Sequence, residues 1–212
     1  MRIVFIFTIC AQFFFPQQSK LSKSVNHISE YIASDEFVSL KNNLEDLHVV
    51  DSIYSQAIKQ TDFDYSEALL SLTFGTVPYR EVPIQIPLIK LILNYPLVSA
   101  SDSIFNLKNV NLPHYIFFDS PIDNYGDKDK LAHFFGSAFI SFSSSIFDLG
   151  NAIGYFVEVF EQSFKVQSSI DQRDLSTNKI GNIFGTLLKK NKNILPSQII
   201  ILRTLSHFNY NL

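Results

Sequence analysis

The sequence predicts a mainly α-helical protein: a helical core of three to four packed helices over about residues 128–207, preceded by N-terminal helices and a proline-rich segment of extended chain and short strands. Three observations carry that prediction. Apolar residues recur at three- and four-residue spacing on both sides of residues 76–121. Six prolines (Pro78, Pro83, Pro87, Pro96, Pro113 and Pro121) fall in or border that middle stretch, where they forbid long helix and push their predecessors toward extended backbone. Three later stretches, DKLAHFFGSAFIS, GYFVEVFEQ and RDLSTNKIGNIFG, each carry a row of polar or very small residues along an otherwise apolar surface.

The chain is 212 residues long, 46% hydrophobic and 17% charged, which suits one globular domain with a real core and excludes a disordered chain. We read residues 1–17 as a signal peptide or N-terminal anchor and 18–212 as a single α-rich domain, divided into helical (18–75), proline-rich (76–121) and core (122–212) parts. Residues Met1 to Phe15 place one Arg before an apolar run too short to span a bilayer comfortably, followed by Pro16 and polar residues, the layout of a secretory leader. Export would put the protein in the cell envelope, periplasmic or membrane-associated, with a membrane or lipid surface as its partner. Cys10 is the sole cysteine, so a chain without its leader has no thiolate, and a metal would use carboxylates, amides or His. The net charge of -3 and the absence of an Arg/Lys stripe argue against nucleic acid.

Between Leu21 and Leu72 the apolar spacing (Val25, Ile28, Ile32; then Leu44, Leu47, Val50, Ile53, Ala57) predicts two or three amphipathic helices. Asp64 and Glu67 read as a capping box for the last, and Gly75 as its end. His27 and His48 lack acidic partners at metal spacing and read as surface or boundary residues. The apolar stretch Val82–Val98 is broken by Pro83, Pro87, Lys90 and Pro96 and reads as edge strands, either covering the helices or docking on lipid or a partner; Tyr115–Phe118 reads as another short strand. The loop DSPIDNYGDKD crowds Asp119, Asp123, Asp127 and Asp129 together, but the spacing misses the EF-hand pattern, so these acids are expected to solvate the loop and favour the next helix's N-terminus.

The first core helix, about 128–147, carries Asp129, His133, Ser137, Ser141 and Ser145 on one line and Phe135, Ala138, Phe139, Phe142 and Ile146 on a stripe. Leu131–Phe147 is short enough to leave both a buried helix and a membrane-inserted hairpin open. The second, about 151–164, aligns Gly154, Glu158 and either Glu161 or Gln162. The third, capped by Asp171, aligns Asp174, Asn178, Gly181 or Asn182, and Gly185, and ends in Lys189, Lys190 and Lys192. Pro196 opens a last helix, with His207 near its end. The small residues Ser137, Ser141, Gly154, Gly181 and Gly185 are expected at helix contacts.

The order Asp129-Lys130, His133-Phe134, Glu158 with Glu161-Gln162, then Asp174, Asn178, Gly181 and Gly185 resembles the pattern DKxxHF, ExxQ, DxxxNxxGxxxG of YfiM-like predicted periplasmic lipoproteins and, more weakly, of VanZ-like membrane proteins. Glu161 stands where VanZ-like proteins tend to have Gln. The resemblance implies a helical, membrane-associated cell-envelope protein without defined chemistry. Read from the residues, the candidate polar cluster is Asp129, Lys130, His133, Glu158, Glu161, Asp174 and Asn178. Buried acids must be paired, protonated or bound to a cation. The cluster therefore either fixes helix register, or holds a divalent cation and hydrolyses a lipid phosphate or cell-wall precursor, or binds a lipid head group or envelope component through Lys130 and His133. No GxSxG, HExxH, P-loop or GxGxxG occurs, so the sequence leaves open whether the protein is an enzyme.

Overall fold

The structure, a computed structural model, describes residues 19–86, 91–143 and 172–210. The leader (1–17), Leu88, Lys90, Ser145, Ile146, the second core helix with Gly154, Glu158, Glu161 and Gln162, and the Asp171 cap lie outside the described residues. Among those described, eight helices and one hairpin follow in order: α1 (Lys20–Ala33), α2 (Asp35–Asn43), α3 (Asp46–Gln60), α4 (Tyr65–Thr76), β1 (Glu81–Ile86), β2 (Leu91–Pro96), α5 (Asp102–Asn111), α6 (Lys130–Ser143), α7 (Gln172–Lys190) and α8 (Pro196–Tyr210). The mainly helical class is as expected.

Where two or three N-terminal helices were expected, four form. Ser34 makes the extra break: its hydroxyl donates to the Tyr31 carbonyl, closing α1, and accepts from the Phe37 amide, opening α2. Asp64 caps α4 through the Glu67 amide (3.0 Å), but Glu67 does not reach back to complete the box; it accepts from Ser24 of α1 (2.8 Å) and pairs with Lys20. Gly75 does not end α4 either. It is buried inside the last turn, where a Cβ would strike the Ile28 side chain. These contacts run α1 and α4 side by side in the same direction.

α6 is the centre of the molecule. All but two of its residues are buried, with α7 along one flank and α4 along another. The expected stripe Phe135, Ala138, Phe139 and Phe142 is buried, and Phe134, Phe135, Phe184 and Tyr54 interlock where α3, α6 and α7 meet, with ring centroids 5.2 to 6.5 Å apart. The helix is therefore a protein-buried one. No helix among the described residues is long and apolar enough to cross a membrane. α7 runs parallel to α6, since Asp174 meets Lys130 near the start of both, Gly181 meets Phe134 and Ser137, and Gly185 meets Ala138 and Ser141. The last described helix, α8, is tied to α3 by Asp51, which accepts from the Ser197 amide (2.9 Å) and hydroxyl (2.6 Å).

The first part of the proline-rich segment forms one antiparallel ribbon, Glu81↔Pro96 through Ile86↔Leu91, in which both strands are edges, as expected, but the segment is not extended throughout: α5 occupies the proline-free stretch between Pro96 and Pro113. Tyr115–Phe118 is not a strand. Its amides are taken by side chains instead: His114 and Tyr115 donate to Asp46 (3.0 and 2.7 Å), and Phe117 donates to Asp127 (3.1 Å). The acidic loop is likewise not merely solvated. Asp127 is fully buried and also accepts from Ser120 and Arg173, while Asp119 receives both guanidinium nitrogens of Arg203 at 2.6 Å, binding the loop to α7 and α8. Asp123 accepts from the Tyr125 and Gly126 amides, and Gly126 takes φ +54° against the His114 carbonyl.

The α6–α7 contact makes a stability prediction. A Cβ at Gly181 would run into the Phe134 carbonyl and one at Gly185 into the Ala138 carbonyl, and backbone oxygens have no cheap way to retreat. G181A and G185A should each cost about 2 kcal/mol or more in denaturant unfolding. N182A, at the exposed neighbouring position, should stay within about 0.5 kcal/mol of the parent.

Candidate functional site

The close approach of α6 and α7 brings their first turns together, and with them the polar cluster. Lys130 points its ammonium between two acids, 3.0 Å from Asp129 Oδ2 and 2.5 Å from Asp174 Oδ1. His133, one turn later, places Nε2 3.6 Å from the same Asp174 oxygen. One turn further on, the Ser137 hydroxyl donates to Asn178 Oδ1 at 3.0 Å. Five of the expected residues, Asp129, Lys130, His133, Asp174 and Asn178, are thus gathered at one end of the helix pair. Glu158 and Glu161 lie outside the described residues. Gly181, not the exposed Asn182, continues the α7 row, and Ser141 bonds its hydroxyl back to the Ser137 and Ala138 carbonyls while facing Gly185 of α7, the small-residue contact expected of it.

Lys130, His133 and Asp174 are buried, with side chains 5, 7 and 8% exposed; Asp129 is 18% exposed. Burial alone would drag the lysine down, but Asp129 and Asp174 outweigh it and hold Lys130 above its ordinary value. For His133 burial wins: it lowers the imidazole despite the opposing pull of Asp174, Asp129 and a hydrogen bond with Asn178, and Lys130 adds to the lowering. An uncharged His133 leaves two carboxyls facing one ammonium. Asp129 Oδ1 is buried with no hydrogen-bond partner among the described residues.

One ligand atom each from Asp129, His133 and Asp174 lies within 4.8 Å of the others. Three atoms so placed fit a circle of radius no more than about 2.8 Å (4.8/√3), against ~2.0–2.2 Å for zinc bound by imidazole and carboxylate. Small side-chain rotations close that gap, so the trio is compatible with a divalent cation. A nitrogen among the donors favours zinc or manganese over calcium, which takes oxygen.

Two tyrosines complete the surroundings and were not singled out from the sequence. Tyr79, just before β1, has its hydroxyl pushed up to about 12 by burial and then by Asp129 and Asp174. Tyr125, 48% exposed, is raised by burial and then by Asp129, Tyr79 and Asp174. Tyr125 lies four residues before Asp129, a spacing that could have been noticed. Tyr79 is about 50 residues away from the cluster in sequence, and nothing local marks it. His27 is half-buried and meets Gln56 at 3.1 Å, and His48 is exposed, the boundary and surface positions expected of them. Comparison of the chain with models of protein families, with curated proteins and with solved structures found no match.

The geometry makes the Lys130–Asp174 pair testable. K130M strands the buried Asp174 carboxylate and should cost about 3 kcal/mol or more, while D174N, which leaves Lys130 paired with Asp129 alone, should cost less. In a double-mutant cycle read by urea unfolding, the D174N/K130M protein should lose clearly less than the sum of the single losses.

Proposed function

We propose that this is an exported, membrane-associated protein of the cell envelope whose buried polar cluster at the head of α6 and α7 binds a divalent transition-metal cation. The observation that carries the reading is the meeting of Asp129, His133 and Asp174 donor atoms within 4.8 Å of one another. The residue order of the cluster, with its likeness to the YfiM-like and VanZ-like patterns, and the leader-like start support the envelope setting. A lipid head group or other anionic component would then be held through the metal. Direct anion binding has less support, because among the described residues two carboxyls outnumber the one ammonium, whereas a cation meets both that imbalance and the Asp129 oxygen that finds no hydrogen-bond partner among those residues. Hydrolysis of a lipid phosphate would need the same ion to activate water, so cation binding is the prior question.

A second reading has its own observation. The Lys130 ammonium already stands between the two carboxylates, which is where a cation would go, and a purely structural pair would need nothing more.

Calorimetric titration of the full chain with Mn²⁺ and Zn²⁺ separates the two readings. On the binding reading K130M removes a built-in competitor and tightens the cation at least about tenfold, while D174N abolishes binding. Loss of stability in K130M with no cation bound by it or by the parent would overturn the binding reading and leave the structural one. For the setting, the expressed protein is expected in the membrane or periplasmic fraction of the cell; recovery with cytoplasmic markers would refute it.

A further inference from the structure

Away from the cluster, Lys108 of α5 is a buried lysine that no acid meets among the described residues. It is 1% exposed, and its Nζ donates to the Val77 carbonyl at 2.5 Å and lies 4.5 Å from the centre of the Phe105 ring. Arg80 approaches the same ring, its guanidinium carbon 4.2 Å from the centre. Two basic side chains therefore share one aromatic ring, and among the described residues only Arg80 has an acid, the exposed Asp102 at 2.9 Å; it is also tied to Ser99 and Ala100. Among the described residues Arg80 is the one charged group that bears on Lys108, and α1, packed along α5, brings none.

An ammonium has three donors, and here it finds a single carbonyl and a ring face. A neutral amine keeps the bond to Val77 and carries no charge that burial would penalise. Beside it, Asn109 donates to the Pro78 carbonyl at 3.0 Å, so neighbouring residues of α5 clamp the two peptides immediately before Tyr79.

We propose that Lys108 is an uncharged amine in the closed structure and that protonation there loosens the clamp between α5 and residues 77–80, opening the start of the hairpin as pH falls. Burial, and secondly Arg80, bring the Lys108 amine down to about 7 from its ordinary 10.5. The direction of the linkage follows: between these values the unfolded or opened chain takes up a proton that the closed chain refuses, so closure weakens as pH falls toward 7 and its cost is constant below it. This inference is independent of cation binding by the acid cluster.

The full chain tests it in two ways. Thermal unfolding of the parent and of K108M, which keeps length and removes the charge, should diverge between pH 9.5 and 6.5, the parent losing roughly 5 °C or more relative to the variant; parallel curves overturn the proposal. Should K108M fail to fold, NMR of ¹³Cε-lysine-labelled parent protein still decides: one resonance, assigned to Lys108, should titrate within about one unit of 7, and a midpoint above 9 overturns it.

Discussion

The whole arrangement depends on two helices lying closer than ordinary side chains allow. Gly181 and Gly185 let the backbone of α7 rest on the Phe134 and Ala138 carbonyls of α6, and that contact sets the register in which Asp174 meets Lys130 and Asn178 meets Ser137. A wider separation would leave the Lys130 ammonium short of Asp174, whose buried carboxylate would lose its nearest cation. Packing and electrostatics are thus not separate contributions here. The glycines create the pair, and the pair penalises any slip of the glycines.

The same economy governs the loop before α6. Asp46 reaches in from α3 to take two backbone amides, and Asp119 and Asp127 of the loop itself take guanidinium groups or a backbone amide, so the stretch from His114 to Asp127 is fixed without secondary structure of its own. Arg203 joins in from α8, lying over Phe117 and Phe118 while it grips Asp119. Carboxylates that look like solvating surface in the sequence are internal struts.

What was legible from the sequence was periodic. The row Asp129, His133, Ser137 and the row Asp174, Asn178, Gly181, Gly185 could be read because a helix repeats its faces, and two such rows with few bulky members have one economical way to pack. What was not legible was long-range or one-sided. Ser34 ends one helix and starts another, which spacing alone does not reveal. Tyr115 has the composition of a strand, but its amide partner is a side chain 69 residues earlier. Tyr79 reaches the field of the cluster from the far side of the proline-rich segment, and Lys108 looks like any charged residue of an exposed helix until Phe105 and Val77 enclose it.

The parallel course of α6 and α7 has an electrostatic consequence of its own. Parallel helices present like ends together, so both amino-terminal ends converge where Asp129 and Asp174 sit in or beside the first turn. Each end carries roughly half a positive charge from its aligned peptide dipoles, and in a site this enclosed little solvent screens them. The peptide backbone thereby offsets part of the surplus negative charge that Lys130 leaves over. An incoming metal ion would have to outcompete the main chain as well as the lysine.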